Sequence, residues 1–145
     1  MNVSVRRLTA GDEEMACRLV LVFKSMTLSP ARAEQFLANP AHFLLVAEVA
    51  GELAGFVLAY RLERLDRPTS QLFIYELDVL PKHRRRRVGT RLMEFVRDIV
   101  NVEAFLEAFV FTNSGNSAAV ALYGGTGGQV EDDSSVLFVY PGHAA

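Results

Sequence analysis

The feature that most constrains this chain is a basic loop set between a strand-like run and a helix-like run. Ser70 to Leu80 is the strongest strand pattern in the sequence, and Pro81 stops it. Val88, Leu92, Phe95, Val96 and Ile99 then recur at the spacing of one helix face, which predicts a helix from about Arg87 to Asn101. Between them lies Lys82-His83-Arg84-Arg85-Arg86-Arg87. A helix N-terminus presents backbone N–H groups with no helical acceptor and the positive end of the dipole. Arginines there add bidentate donors, and Gly89 lets a ligand come close to the backbone. A strand, a basic turn and a helix in that order form a cradle for a diphosphate.

Charge balance sharpens the point. The 145 residues carry 15 Lys and Arg against 17 Asp and Glu, a net charge of −2. Setting aside the five cations of residues 82–87 leaves ten against 17, or −7. An acidic body with one basic spot suits a compact polyanion and not a nucleic acid, which needs a basic face. At 50% hydrophobic and 22% charged residues, the chain has the balance of one globular domain, expected to span residues 1–145. No apolar run is long enough to cross a membrane, and the start lacks a signal-peptide pattern. One cysteine, Cys17, and three histidines give no metal-ligand spacing. The expectation is a cytoplasmic protein that uses no metal and binds neither membrane nor nucleic acid.

Periodicity supplies the other elements. Val3, Val5 and Leu8 read as a first strand, and Met15, Leu19, Val22, Phe23 and Met26 as a helix. Ser29-Pro30 starts a short helix over residues 31–38. Phe43 to Val49 and Leu53 to Leu62 form a hairpin across Ala50-Gly51-Glu52. Ala104 to Phe111 is a strand, and Asn113 to Ser117 caps a helix through Tyr123 that ends in a glycine run. Val130 and Val136 to Tyr140 form a last hairpin across Asp132-Asp133. The sum is an α/β (α+β) fold, with a mixed central sheet and packed helices.

On these residues the chain resembles the GCN5-related N-acetyltransferase superfamily. The family's pyrophosphate loop, Arg/Gln-x-x-Gly-x-Gly/Ala, falls on Arg84, Arg87 and Gly89, with Arg87 in place of the middle glycine. Positive φ at that position would strain an arginine, whereas helical φ would keep the N–H contact and add charge. The start of the helix favours helical φ. The family's Asn-x-x-Ala-x-x-Leu-Tyr run matches Asn116, Ala119, Leu122 and Tyr123, but Gly127-Gly128 replaces its Gly-Phe, which predicts a loose helix end. Arg67 to Ser70, Ile74 to Val79 and Ala119 to Tyr123 resemble the aminoglycoside 3-N-acetyltransferases of the gentamicin and fortimicin type.

The resemblance implies the GNAT fold, a mostly antiparallel sheet with helices on both faces, acetyl-CoA as co-substrate and a homodimer. Val136 to Tyr140 is a candidate for that dimer contact. It implies cofactor contacts from Leu77 and Val79 on the strand and from Arg84, Arg85, Arg86 and Arg87 in the loop. Val88, Gly89 and Thr90 would contribute from the helix start, and Asn116 and Ala119 from the opposite side. The backbone N–H near Val79 would stabilise the oxyanion.

Acetyl transfer to an amine needs a base, an oxyanion donor and an acid for the leaving thiolate. Glu76 and Asp78, two apart in a strand, share a side of the sheet. By resemblance Glu76 is the expected base, with Asp78 in reserve, and Tyr123 is the acid. The acidic remainder fits a cationic amine, and the resemblance implies an aminoglycoside acetylated at its 3-amino group. Asp66, Glu131, Asp132 and Asp133 are further candidate contacts. Acetylation of a polyamine, an amino sugar or a protein N-terminus, and an inactive acyl-CoA-binding relative, are the alternatives.

Overall fold

The computed structural model describes residues 2–143, arranged as two units, Met1–Phe111 and Thr112–Ala145. In the first, alternation at the N-terminus gives strand β1 (Val3–Leu8). Helix α1 (Glu13–Lys24) has acidic residues in its first turn and Lys24 in its last, which suits the helix dipole. Ser25 closes α1 in the left-handed region. Val22 and Met26, expected on the apolar face, are exposed; Met26 lies past the cap. Helix α2 (Pro30–Leu37) starts as expected, with the Ser29 hydroxyl accepting from Arg32 N–H at 3.1 Å and Pro30 in the first position. Then follow β2 (His42–Val49), β3 (Glu52–Leu62), β4 (Gln71–Val79), a 3₁₀ turn over Pro81–His83, α3 (Val88–Val102) and β5 (Glu107–Val110).

The strands lie in the order β1-β2-β3-β4-β5. The first four pair antiparallel and β5 joins β4 in parallel, so the mixed, mostly antiparallel sheet is observed. One face packs on α1 and α2: Leu44, Val46 and Phe56 meet Ala16, Leu19 and Ala33, with Phe23 edge-on to Phe56 at 4.8 Å. The other face packs on α3. A side chain at Gly55 would lie 2.9 Å from the Asp78 carbonyl oxygen and 3.1 Å from Val88, so glycine lets α3 close onto the strands. Val88 and Leu92 are almost fully buried there, each a gain of roughly 1.5–3 kcal/mol.

A bulge in β4 decides which face its side chains take. Ala59 pairs with Ile74 and Leu58 with Glu76, so Tyr75 is one residue too many. Before it, Leu72 and Ile74 are buried on the face of Ala59, against α3. After it, Glu76 and Asp78 lie opposite Leu58 and Phe56, on the α1/α2 face. An extra residue shifts the pleat by one and reverses the side on which even positions point.

The second unit contains α4 (Ser117–Gly125). The hairpin expected at Val130 and Val136–Tyr140 is not formed. The Asp132 carboxylate accepts from Ser134 N–H at 2.8 Å and from the Ser134 and Ser135 hydroxyls, so the turn is built. The flanking residues lack a ladder partner, and Val136 to Tyr140 are exposed. Branched and aromatic residues favour a strand through cross-strand packing, which is missing here.

Candidate active site

The β4–β5 ladder runs from Gln71↔Glu107 to Ile74↔Val110 and stops at the bulge. From Tyr75 to Val79 the outer edge of β4 has no strand beside it among the described residues. Glu76 projects from this segment into a cavity of about 180 Å³ between the sheet and α1/α2. Leu19, Leu28, Phe36, Leu44, Phe56 and Leu58 make it apolar, and Lys24, Arg32 and Glu76 are its charged walls. The Lys24 ammonium, reaching from the last turn of α1, donates to Glu76 Oε2. Glu76 is half-buried. A carboxylate in such a setting meets an amine with little competing water.

Two tyrosines flank Glu76. The Tyr60 and Tyr75 rings meet edge-to-face at 5.9 Å, and Tyr75 continues to Phe73 at 6.0 Å. Burial first, then the neighbouring Tyr75 and Glu76, pushes the Tyr60 phenol above its ordinary value. It therefore stays a neutral hydroxyl at physiological pH. Sequence reasoning did not identify Lys24, Arg32, Tyr60 or Tyr75. Lys24 lies 52 positions from Glu76, and Tyr75 falls inside a continuous strand pattern.

Asp78 shares the face of Glu76 as expected, but its partners differ. Its Oδ1 accepts from Val79 N–H at 2.8 Å and lies 3.8 Å from Arg84 Nη2. Arg84 also donates from Nε to the Val79 carbonyl at 3.1 Å. Arg84 thus ties the loop to the strand end, and the Val79 N–H is engaged by its own neighbour. The other side of the loop is anchored to β3. Lys82 donates to Glu52 at 2.8 Å, which holds that carboxyl below its usual range, and His83 Nε2 lies 3.7 Å from the same carboxylate. His83 is buried with neither ring nitrogen hydrogen-bonded.

Between these anchors, residues 84–87 form an exposed turn. Arg85 and Arg87 both have positive φ, 63° and 66°. Helical φ, expected for Arg87, is corrected: it caps α3 in the left-handed region, and the helix begins at Val88. The first helical bond is Arg91 N–H to the Arg87 carbonyl at 2.9 Å. The N–H groups of Val88, Gly89 and Thr90 therefore have no acceptor within the helix. Four consecutive arginines directly before a helix N-terminus bring the positive charge that a diphosphate requires.

In the second unit, the Asn116 side-chain oxygen caps α4 by accepting from Ala119 N–H at 3.1 Å. Burial pushes the Tyr123 phenol up, which keeps its proton in place at neutral pH. The glycine run ends the helix firmly. Gly127 has φ of 100°, its N–H reaches the Gly124 carbonyl at 3.4 Å, and Gly128 N–H reaches the Tyr123 carbonyl at 2.8 Å. This is a Schellman closure, so the loose end expected here is not observed. A side chain at Gly128 would lie 2.8 Å from the Tyr123 carbonyl oxygen, which accounts for the absence of phenylalanine. Asp66 is held by two Arg64 bonds of 2.9 Å, and Asp132 by its own turn.

The acetyltransferase (GNAT) family model matches residues 12–127, most of the chain. The chain belongs to the GNAT family. Solved structures agree on the fold. An aminoglycoside acetyltransferase from an uncultured soil metagenomic sample is 24% identical with a TM-score of 0.87, covering 97% of this chain and 99% of that one. A second soil metagenomic aminoglycoside acetyltransferase, in complex with sisomicin, is 20% identical with a TM-score of 0.88, covering 96% and 95%. An AAC(6')-Iy complex with a CoA-linked acetylneamine analogue is 18% identical with a TM-score of 0.76, covering 97% and 99%. No curated protein sequence matches the chain. Among the described residues no helix of this GNAT protein is long and apolar enough to cross a membrane, and no cluster of three or more His, Cys, Asp or Glu could hold a metal ion.

Proposed function

We propose that this GNAT protein transfers the acetyl group of acetyl-CoA to an amine of an aminoglycoside, at the 3-amino group. The observation that carries the reading is Glu76, turned by the Tyr75 bulge into an apolar cleft beside the open edge of β4 and one strand-end away from the arginine loop. The likeness to structures of aminoglycoside acetyltransferases, one holding sisomicin, supports the substrate class.

In this reading Arg84 to Arg87 and the N–H groups of Val88, Gly89 and Thr90 hold the diphosphate. Leu77, Val79, Asn116 and Ala119 hold the pantetheine arm. Glu76 takes the proton of the acceptor ammonium. The amine nitrogen then attacks the thioester carbonyl, the C–S bond breaks as Tyr123 donates its proton to the thiolate, and the extra proton on the new amide nitrogen passes through water to the tyrosinate. Val79 N–H stabilises the oxyanion once Asp78 releases it. Arg32 favours a second reading, a protein N-terminus whose first residues include an aspartate or glutamate to meet that guanidinium.

Thiol release from acetyl-CoA against gentamicin, fortimicin, kanamycin, spermidine and N-terminal peptides tests both. Release with gentamicin or fortimicin, with the product acetylated at the 3-amino group by NMR, is the expected result. Release with peptides alone would favour the second reading, and none across the panel would reject both.

A further inference from the structure

The geometry points to Lys24 as a tethered competitor that occupies the acceptor's seat on Glu76 and must leave before an acceptor amine can bind. The inference rests on the proposed role of Glu76. The group seated on that carboxylate is already a primary ammonium, chemically the same as the acceptor's reacting group. It belongs to the cavity that Glu76 faces, and the remaining walls are apolar apart from Arg32. Arg32 is occupied elsewhere: it donates to Gln35 at 3.0 Å and lies over the Phe36 ring. No other cation is recorded on Glu76 among the described residues.

Lys24 is also well placed to leave. It hangs on a four-carbon arm, its side chain is 42% exposed, and Ser25 ends the helix directly after it. A half-exposed lysine–carboxylate pair contributes little net stability, so an acceptor with further contacts can displace it. The device discriminates. An amine must bring enough additional contact to displace an ammonium whose effective concentration is set by its tether. Monofunctional amines would fail where a polyamine with several anchoring groups succeeds. A seat closed nine-tenths of the time would weaken apparent affinity about tenfold.

The test is calorimetric binding of gentamicin to the full chain and its variants. Lys24→Met should bind more tightly by up to about tenfold, whereas Lys24→Arg, which keeps a cation on Glu76, should stay near the wild type. Lys24→Gln serves as a second neutral variant if Lys24→Met does not fold. Arg32→Gln removes a charge from the same cleft without opening Glu76. An equal gain there would mean that general repulsion of a polycation is at work and would overturn the inference. So would unchanged or weaker binding by the neutral Lys24 variants. Wild-type thiol release with gentamicin, paired with no tightening at Lys24, rejects this inference alone. No release and no binding by any variant rejects the aminoglycoside reading and the inference with it.

Discussion

The proposed acceptor side and the proposed phosphate side of β4 are built by opposite means. Around Glu76 the chain is packed: one carboxylate lies in an apolar cleft, on a face chosen by a single extra residue. Around residues 84–87 it is exposed, and its form depends on two arginines in a backbone region that suits glycine. The first side is set by where side chains can be buried, the second by charge and main-chain conformation. Substitutions on the first side should therefore act on folding and on the chemical step. Those on the second should act on affinity and salt dependence.

The sharpest way to break the comparison is Ile74→Glu. Two positions before Glu76 on the same strand, it would set an unpaired carboxylate on the α3 face, where Ile74 is buried. Burying an unpaired carboxylate costs several kcal/mol against a typical stability of about 5–15 kcal/mol. The substitution should abolish cooperative thermal unfolding and thiol release together. A variant that melts and turns over like the wild type would show that the bulge does not divide β4 between its two faces. Next in size is Glu76→Gln. Loss of a general base should lower turnover about 10²–10⁴-fold. Acetyl-CoA binding, held on the other side of β4, should be unchanged by calorimetry, and unchanged turnover would remove Glu76 from the chemistry.

Arg84→Ala probes the phosphate side. It removes a guanidinium and cuts the tether from the loop to Val79 and Asp78. Acetyl-CoA should bind about tenfold more weakly, a loss of about 1.4 kcal/mol. Raising the salt concentration should shrink the gap between variant and wild type, because screening weakens exposed charges. An unchanged dissociation constant would place the phosphates elsewhere.

How far the sequence showed these sides in advance follows the same division. Strands and helices of the first unit were legible because hydrophobic periodicity reflects burial directly. The basic loop was legible as charge between a strand and a helix. Its backbone was not, because left-handed φ at an arginine carries no compositional mark. The bulge did leave a mark that periodicity alone did not resolve. Leu72, Ile74, Glu76 and Asp78 fall on one parity, so apolar and acidic residues would share a face unless the pleat shifted. Lys24 on Glu76 was beyond reach, since it joins residues 52 positions apart. Val136 to Tyr140 misled because strand propensity depends on a partner that local sequence does not specify.

The smallest effect separates backbone from charge at Arg87. A non-glycine residue in the left-handed region costs about 1–2 kcal/mol, and glycine gives back about 0.5–1 kcal/mol through its freer unfolded chain. Arg87→Gly should therefore stabilise the protein by roughly 0.5–1 kcal/mol, a rise of a few degrees in Tm. Arg87→Ala keeps a Cβ at φ 66° and should bring no such gain. Both lose the same cation, so any loss of acetyl-CoA affinity common to the two measures the charge. Any advantage of glycine over alanine in that affinity measures how closely the phosphate approaches the backbone. If alanine stabilises as much as glycine, the left-handed cap before α3 is not strained, and the phosphate side depends on charge alone.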